Sequence, residues 1–163
     1  GKGASGGEAD AAGGAGNDDD FIFHGRHDIR SFQAMSPLFS SDKPGVLAID
    51  DEPDLLDIIK TTLEEQGFQV FAFPEPQAGL KFYEQNWRDI KLVLLDYLMP
   101  DMTGDLVFEC LQRQNPDVKV LLLTACDDHV ARQMFKAGLR GYIQKPFYLA
   151  DLVARVFEEV DAP

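Results

Sequence analysis

The sequence predicts an α/β fold in which a five-stranded parallel sheet is covered by helices on both faces. Short apolar runs alternate with longer amphipathic segments from residue 46 almost to the end of the chain. The runs at 92–95 and 120–123 are continuously apolar, which is typical of parallel strands buried on both faces. Because helix-sized segments separate the runs, we expect right-handed crossovers and a doubly wound sheet.

The strands are predicted from short apolar runs that end at polar or loop residues. The first run follows a stretch with loop composition at 40–45 and ends at Asp50. The last run is the shortest and leads into Lys145-Pro146. We place the strands at 46–50, 69–73, 92–96, 119–124 and 141–144.

The helix boundaries are predicted mainly from proline and glycine. Pro53 suits a first helical position, where a missing N–H group costs nothing, and Gly67 suits a helix stop. Gly104 closes the loop before the third helix, and Gly138 follows the fourth. We place the helices at 53–66, 75–86, 104–115, 127–137 and 148–160.

The last helix has the clearest periodicity in the chain. One stripe carries apolar residues at helical spacing, which predicts that it faces the sheet. The opposite, polar face carries Arg155, Glu158 and Glu159. The residues of the apolar stripe are Leu149, Leu152, Val153, Val156, Phe157 and Val160.

Composition excludes several classes of protein. The 163 residues carry 28 acidic and 15 basic side chains, a net charge of −13, which argues against a direct nucleic-acid surface. No apolar stretch approaches the ~18 residues of a membrane span, and the N-terminus lacks the apolar core of a signal peptide. Cys110 and Cys126 form no Cys-x-x-Cys pair and are expected to be reduced thiols. We therefore expect a cytoplasmic protein without membrane contacts.

The first 44 residues differ in composition from the rest. Residues 1–20 are rich in Gly, Ala and acids, which predicts a disordered linker. Residues 21–44 form an extension that is too apolar for a linker and shows no sustained period. It is either an element that docks on the domain or a fragment of a larger neighbour. Within it, His24 and His27 are a metal site, a phosphodonor or, as we favour, ordinary linker histidines. The folded domain is expected at 45–163.

Polar residues follow the predicted strands where four of them end. Asp50 and Asp51 end the first run, Asp96 the third, Thr124 the fourth and Lys145 the fifth. Ligands bind at the carboxyl ends of strands in open α/β sheets, so these side chains are expected to converge. Three carboxylates without His or Cys favour Mg²⁺. One carboxylate can then attack phosphorus as a nucleophile, while the metal and Lys145 neutralise the phosphoryl oxygens.

The ordered set of motifs resembles receiver domains of two-component response regulators, the CheY-like family. The resemblance covers residues 44–160 and implies the flavodoxin-like strand order 2-1-3-4-5. Each motif alone is weak, but their order, spacing and placement at strand ends match the family together. The motifs are Asp50-Asp51-Glu52-Pro53, Asp96 to Gly104, Thr124-Ala125 and Lys145-Pro146-Phe147.

The resemblance implies a role for each acidic residue of the site. Asp96 would be the phosphoacceptor, forming an aspartyl phosphate, and would also be a metal ligand. Asp51 would bind Mg²⁺ directly, and Asp50 would assist partly through water. Leu98 would offer its backbone carbonyl to the metal. Its apolar side chain would hamper an attacking water, so we expect the phosphate to decay slowly.

The resemblance also implies phosphoryl-binding and switch residues. Lys145 would hold the phosphoryl oxygens, in a Lys145–Pro146 pair that is often cis in this family. Thr124 would bond to one of these oxygens, and the small Ala125 would leave room for the phosphoryl group. Tyr142 matches the aromatic switch position, whose ring turns inward as Thr124 shifts. The altered surface would be formed by 127–138, 141–145 and 148–160.

The implied function is a phosphorylation-dependent signalling switch in a phosphorelay. The donor would be a histidine kinase or a histidine phosphotransfer protein. The receiver of the signal would be a downstream effector protein or a fused domain, and two copies could pair through the altered surface. Such a domain is a phosphoprotein and not an enzyme, since its chemistry is limited to self-phosphorylation and autodephosphorylation.

Several alternatives stay open at this stage. The chain is either a stand-alone regulator or a receiver excised from a hybrid kinase. A degenerate receiver would act as an interaction module without phosphorylation. An Asp-nucleophile Mg²⁺ phosphatase is disfavoured because Leu98 stands where such haloacid-dehalogenase-type enzymes usually need a second Asp. On the first helix, Leu56 and Ile59 are either core residues or an exposed contact for the donor kinase.

Overall fold

The computed structural model describes residues 38, 40, 42–125 and 128–162. The predicted linker at 1–20, most of the extension at 21–44, both of its histidines and Cys126 lie outside these residues. None of the helices in the described part of the chain combines the length and the apolar character that crossing a bilayer requires.

The described residues form alternating strands and helices close to the predicted bounds. The strands are β1 Gly45–Ile49, β2 Gln69–Phe73, β3 Ile90–Asp96, β4 Val120–Thr124 and β5 Gly141–Gln144. The helices are α1 Pro53–Glu65, α2 Pro76–Asn86, α3 Gly104–Gln114, α4 Asp128–Lys136 and α5 Leu149–Asp161. The largest difference is at β3, which begins two residues earlier than predicted because Ile90 pairs with Gly45 of β1 before a register shift.

The sheet is parallel throughout, with the strand order β2-β1-β3-β4-β5. This confirms the predicted fold class. β1 and β3 are adjacent near the centre, and β4 and β5 follow on one side. The residues that come at the carboxyl ends of these four strands therefore meet at one edge.

Two apolar clusters cover the two faces of the sheet. Successive strand residues point to opposite faces, so Leu47 and Ile49 join one cluster and Val46 and Ala48 join the other. The first cluster includes buried residues of α2, α3 and α4, and the second includes those of α1 and α5. The continuously apolar runs of β3 and β4 are buried on both faces, as their sequences predict.

The burial of residues on two helices, α1 and α5, differs from what the sequence suggested. Leu56 and Ile59 of α1 are buried in the second cluster, so the hypothesis that they contact a donor kinase is wrong. Ile58 is the exposed apolar residue of that helix. Glu159 of α5 lies on the predicted polar face but is buried. Gly67 follows α1 with a positive φ of 94°, which confirms it as the helix stop.

Candidate functional site

The carboxyl edge of the sheet brings together side chains from separate motifs. Asp50 follows β1, Asp96 is the last residue of β3, and Lys145 follows β5. Thr124 ends β4 between them and is buried. The backbone fixes this edge, because the Lys145 N–H donates to the Thr124 carbonyl at 2.8 Å and the Tyr97 N–H donates to the Leu123 carbonyl at 3.1 Å.

Three carboxylates form an acidic cluster at this edge. One oxygen each from Asp50, Asp51 and Asp96 lies within 4.8 Å of the others. Asp50 is 1% exposed and Asp96 is 4% exposed, whereas Asp51 is more accessible. Close carboxylates repel each other, and their oxygens are the ligands that hard divalent cations prefer. The cluster therefore fits Mg²⁺.

Lys145 is the cation that compensates this cluster. Its Nζ lies 2.7 Å from Asp50 Oδ2, 3.1 Å from Asp96 Oδ1 and 3.1 Å from Glu52 Oε1. The sequence placed Glu52 within a motif but gave it no role. The contact joins residues 93 positions apart, so local sequence could not reveal it. The position of Glu52 directly after the Asp50-Asp51 pair was the sequence feature that pointed to the site.

Burial and charge shift the protonation equilibria of the site. Burial raises the pKa of the Asp96 carboxyl from 3.8 to about 6, and the Asp50 charge acts in the same direction, while Lys145 opposes both. Burial by itself would lower the pKa of Lys145. The hydrogen bond and charge of Asp50, together with those of Asp96, outweigh burial and raise the pKa of Lys145 above its ordinary value. Lys145 is therefore a permanent ammonium at neutral pH.

The loop after β3 packs closely against the acidic cluster. The Gly104 N–H donates to the Tyr97 carbonyl at 2.8 Å. A Cβ atom at Gly104 would lie 2.7 Å from the Asp96 carbonyl oxygen and 2.8 Å from Tyr97 Cα. Only glycine allows this approach, since both neighbours are backbone atoms. Gly104 therefore holds the loop that begins at Asp96 in place.

The remaining predicted site residues differ in their exposure. Leu98 and Ala125 are exposed. Tyr142 is half-buried on β5, and its ring meets Phe135 of α4 edge-on at a centroid distance of 6.0 Å. The Lys145–Pro146 bond is cis, as the resemblance implied. The roles assigned to these residues stay predictions, as do those assigned to Asp50, Asp51, Asp96, Thr124 and Lys145.

The chain matches a known family and known relatives. The model of the response regulator receiver domain matches residues 46–157. The chain is 37% identical over 116 residues to the transcriptional regulatory protein PrrA of Mycobacterium tuberculosis, covering 69% of this chain and 48% of PrrA. It is 30% identical over 112 residues to the response regulator SaeR of Staphylococcus aureus, covering 68% of this chain and 48% of SaeR. The chain thus spans about half the length of these relatives.

Solved structures agree with these relatives. A CheY-like response regulator receiver domain protein from Methanospirillum hungatei has a TM-score of 0.69 and 28% identity, covering 73% of this chain and 94% of that one. A response regulator receiver domain protein from Clostridium thermocellum has a TM-score of 0.68 and 29% identity, covering 72% of this chain and 94% of that one. The family match runs from β1 into α5, so the chain belongs to the receiver domain family of two-component response regulators.

Proposed function

We propose that the chain is a phosphorylation-dependent switch whose phosphoacceptor is Asp96. The observation that carries this proposal is the position of Asp96, a buried carboxylate that lies within the acidic cluster and 3.1 Å from the Lys145 ammonium. The carboxylate is the nucleophilic form, and with a pKa of about 6 it predominates at neutral pH. The domain that carries this site would extend over residues 45–163.

The reaction is a transfer of one phosphoryl group from a phosphohistidine donor. An Asp96 carboxylate oxygen attacks phosphorus, the new O–P bond forms, and the N–P bond of the donor breaks. The imidazole nitrogen keeps the electron pair of that bond. The signal ends by hydrolysis of the aspartyl phosphate: water attacks phosphorus, the O–P bond to Asp96 breaks, and inorganic phosphate leaves the regenerated carboxylate. Both reactions act on the domain itself, so it is a switch and not a turnover enzyme.

The acidic cluster is the proposed Mg²⁺ site. Asp50, Asp51 and Asp96 would hold the ion, with the Leu98 carbonyl as a further ligand. A bound Mg²⁺ neutralises charge on the transferring oxygens. Lys145 contributes a second positive charge, since its Nζ already lies 3.1 Å from Asp96 Oδ1. Together, Mg²⁺ and Lys145 would offset the repulsion between the carboxylate and phosphoryl oxygens.

The output of the switch would be a change of surface at α4, β5 and α5. Thr124 would offer its hydroxyl to the phosphoryl group, and Ala125 would leave space beside it. Tyr142 and Phe135 form an aromatic contact between β5 and α4, which gives the face a packed element that can be rearranged. A partner protein, a fused effector domain or a second copy would bind the rearranged face.

The partners follow from the same proposal. The donor would be a histidine kinase or a histidine phosphotransfer protein, because a phosphohistidine supplies the N–P bond that Asp96 attacks. The relatives PrrA and SaeR bear the names of a transcriptional regulatory protein and a response regulator. An effector coupled to this chain would therefore act in regulation, while the acidic domain itself would not touch nucleic acid.

Phosphorylation with a small-molecule donor tests the proposal. The wild-type chain is incubated with Mg²⁺ and acetyl phosphate, and intact mass is measured with and without EDTA. We expect the mass of one added phosphoryl group in Mg²⁺ and none in EDTA. Asp96→Asn should abolish the addition, whereas Asp101→Asn, an exposed acid in the same loop, should preserve it. A wild-type chain that stays unmodified with several donors would support the degenerate receiver instead.

A further inference from the structure

We propose that Glu52 is a releasable counterion of Lys145, which holds the ammonium in the resting state and gives it up to the incoming phosphoryl group. This inference rests on the proposed function, since it concerns how Lys145 becomes available at the same site. It assigns to Glu52 a positioning role that acts through Lys145.

All three N–H donors of the Lys145 ammonium are engaged by carboxylates in this structure. An ammonium group carries three N–H donors. Three carboxylates face them: Asp50 at 2.7 Å, Asp96 at 3.1 Å and Glu52 at 3.1 Å. A phosphoryl oxygen can bind Lys145 only if one of these partners withdraws.

Glu52 is the partner that can withdraw at least cost. Its side chain is 63% exposed, whereas the Asp50 side chain is 1% exposed and makes the shorter contact. A carboxylate in contact with solvent regains hydration when it leaves, but a buried one that lost its cation would be left unpaired. Asp96 cannot leave either, because it carries the phosphoryl group that Lys145 must reach.

The backbone directs Glu52 towards Lys145. Glu52 occupies the N-cap position of α1, yet its side chain makes no capping hydrogen bond to that helix. Its N–H donates to Asp50 Oδ1 at 2.9 Å, so the same buried carboxylate that holds Lys145 also fixes Glu52. Because its carboxylate is not used as a cap, it stays available for the ammonium.

The chain supplies a closely matched control for Glu52. Glu75 is the N-cap residue of α2, is exposed, has extended backbone angles and is followed by a proline, as Glu52 is. Its side chain also makes no capping hydrogen bond. Glu75 follows β2 at the same edge of the sheet, so a Glu→Gln change there removes an equal charge without touching Lys145.

The test compares the kinetics of labelling by acetyl phosphate at saturating Mg²⁺, read by intact mass. Glu52→Gln should lower the acetyl phosphate concentration for half-maximal rate by about threefold, as expected for the loss of one partly exposed ion pair. The maximal rate should stay the same. Glu52→Asp should show the same shift, because the shorter Asp side chain is a favoured helix cap and would turn to α1. Glu75→Gln should behave as the wild type.

Each of the other possible results has its own interpretation. An unchanged half-saturating concentration in Glu52→Gln would overturn the inference, as would equal shifts in Glu52→Gln and Glu75→Gln. A Glu52→Asp variant that behaves as the wild type would show that overall charge and not the contact matters, and would also overturn it. A wild-type chain that is not labelled at all would contradict the proposed function instead, so the two failures can be told apart.

Discussion

Two clusters of buried charge in the described residues differ in their balance. At the carboxyl edge of the sheet, the single ammonium of Lys145 faces several carboxylates. On α5, the buried carboxylate of Glu159 faces two guanidinium groups, with Arg140 Nε at 3.3 Å and an Arg155 nitrogen at 3.1 Å. The first cluster has an excess of negative charge, whereas the second has a cation for each of its acids, since Arg155 also pairs with Glu158.

This difference in charge balance distinguishes a site that needs a bound cation from an ion-pair cluster whose charges are already compensated. In the α5 cluster, Arg140, which directly precedes β5, pairs with Glu159 of the helix. Lys119 adds hydrogen bonds to the carbonyls of Glu159 and Ala162 near the helix end. The cluster therefore positions α5. At the carboxyl edge, burial and the charge of Asp50 together raise the pKa of Asp96. The excess negative charge there is relieved only by a proton, a metal ion or the loss of a carboxylate.

The largest effect is expected from removing the cation of the unbalanced cluster. Lys145→Ala leaves two buried carboxylates without their ammonium, and we expect it to lower the free energy of unfolding by about 3 kcal/mol in EDTA. Mg²⁺ should recover much of this loss, because it supplies positive charge at the same place. Urea unfolding with and without Mg²⁺ measures both changes.

Lys60→Ala is the control for Lys145→Ala. Lys60 pairs with Glu64 at 3.7 Å on the surface of α1 and is 45% exposed. Its loss should cost under about 1 kcal/mol and should not depend on Mg²⁺. A Lys145→Ala variant as stable as the wild type in EDTA would show that the carboxylates are compensated in another way.

A smaller effect is expected in the balanced cluster. Glu159→Gln removes the acid that Arg140 and Arg155 share, and we expect a loss of about 2 kcal/mol in the free energy of unfolding. The loss is smaller than for Lys145→Ala because the two arginine side chains are 37% and 38% exposed and can be hydrated. Unlike the first variant, this one should show no recovery in Mg²⁺, and its labelling by acetyl phosphate should match the wild type. Recovery in Mg²⁺ would mean that the two clusters are coupled.

Much of the fold and of the acidic cluster could be predicted from local sequence. Each strand of the sheet is an apolar run, and parallel strands bring their carboxyl ends to one edge. Asp50, Asp96 and Lys145 were therefore expected at the same edge, while the strand order that makes them neighbours was implied by the family resemblance. Gly67 and Pro53 marked the ends of α1 for reasons that act within a few residues.

The contacts that could not be predicted depend on side chains from distant elements. Glu159 looked like a residue of a solvated face, because its burial is caused by Arg140, which lies outside α5. Glu52 appeared only as a member of the motif that begins at Asp50, because its contact is with Lys145, which is far away in the sequence. Periodicity reports which face of a helix is apolar, but not which polar residue is covered by another element.

The third prediction concerns the pH dependence that the unbalanced cluster creates. The folded-state pKa of Asp96, about 6, is higher than the ordinary value of 3.8. Between these values the folded protein binds more protons than the unfolded chain, so stability falls as pH rises. The penalty is complete above the folded pKa and absent below the ordinary one. Asp96→Asn removes it and should stabilise the protein by about 1 kcal/mol at neutral pH in EDTA, since buried Asn has its own desolvation cost.

Urea unfolding of wild type and Asp96→Asn across pH in EDTA measures this difference directly. We expect the gain in Asp96→Asn to shrink as pH falls through about 6 and to vanish near the ordinary pKa, where the wild-type carboxyl is neutral as well. Asp101→Asn, an exposed change of the same kind, should show no such trend. Added Mg²⁺ should reverse the order and make the wild type the more stable protein, because an anionic carboxylate binds the ion more strongly than the neutral amide of Asn does. A gain that is independent of pH would mean that Asp96 is not the group that carries the excess charge.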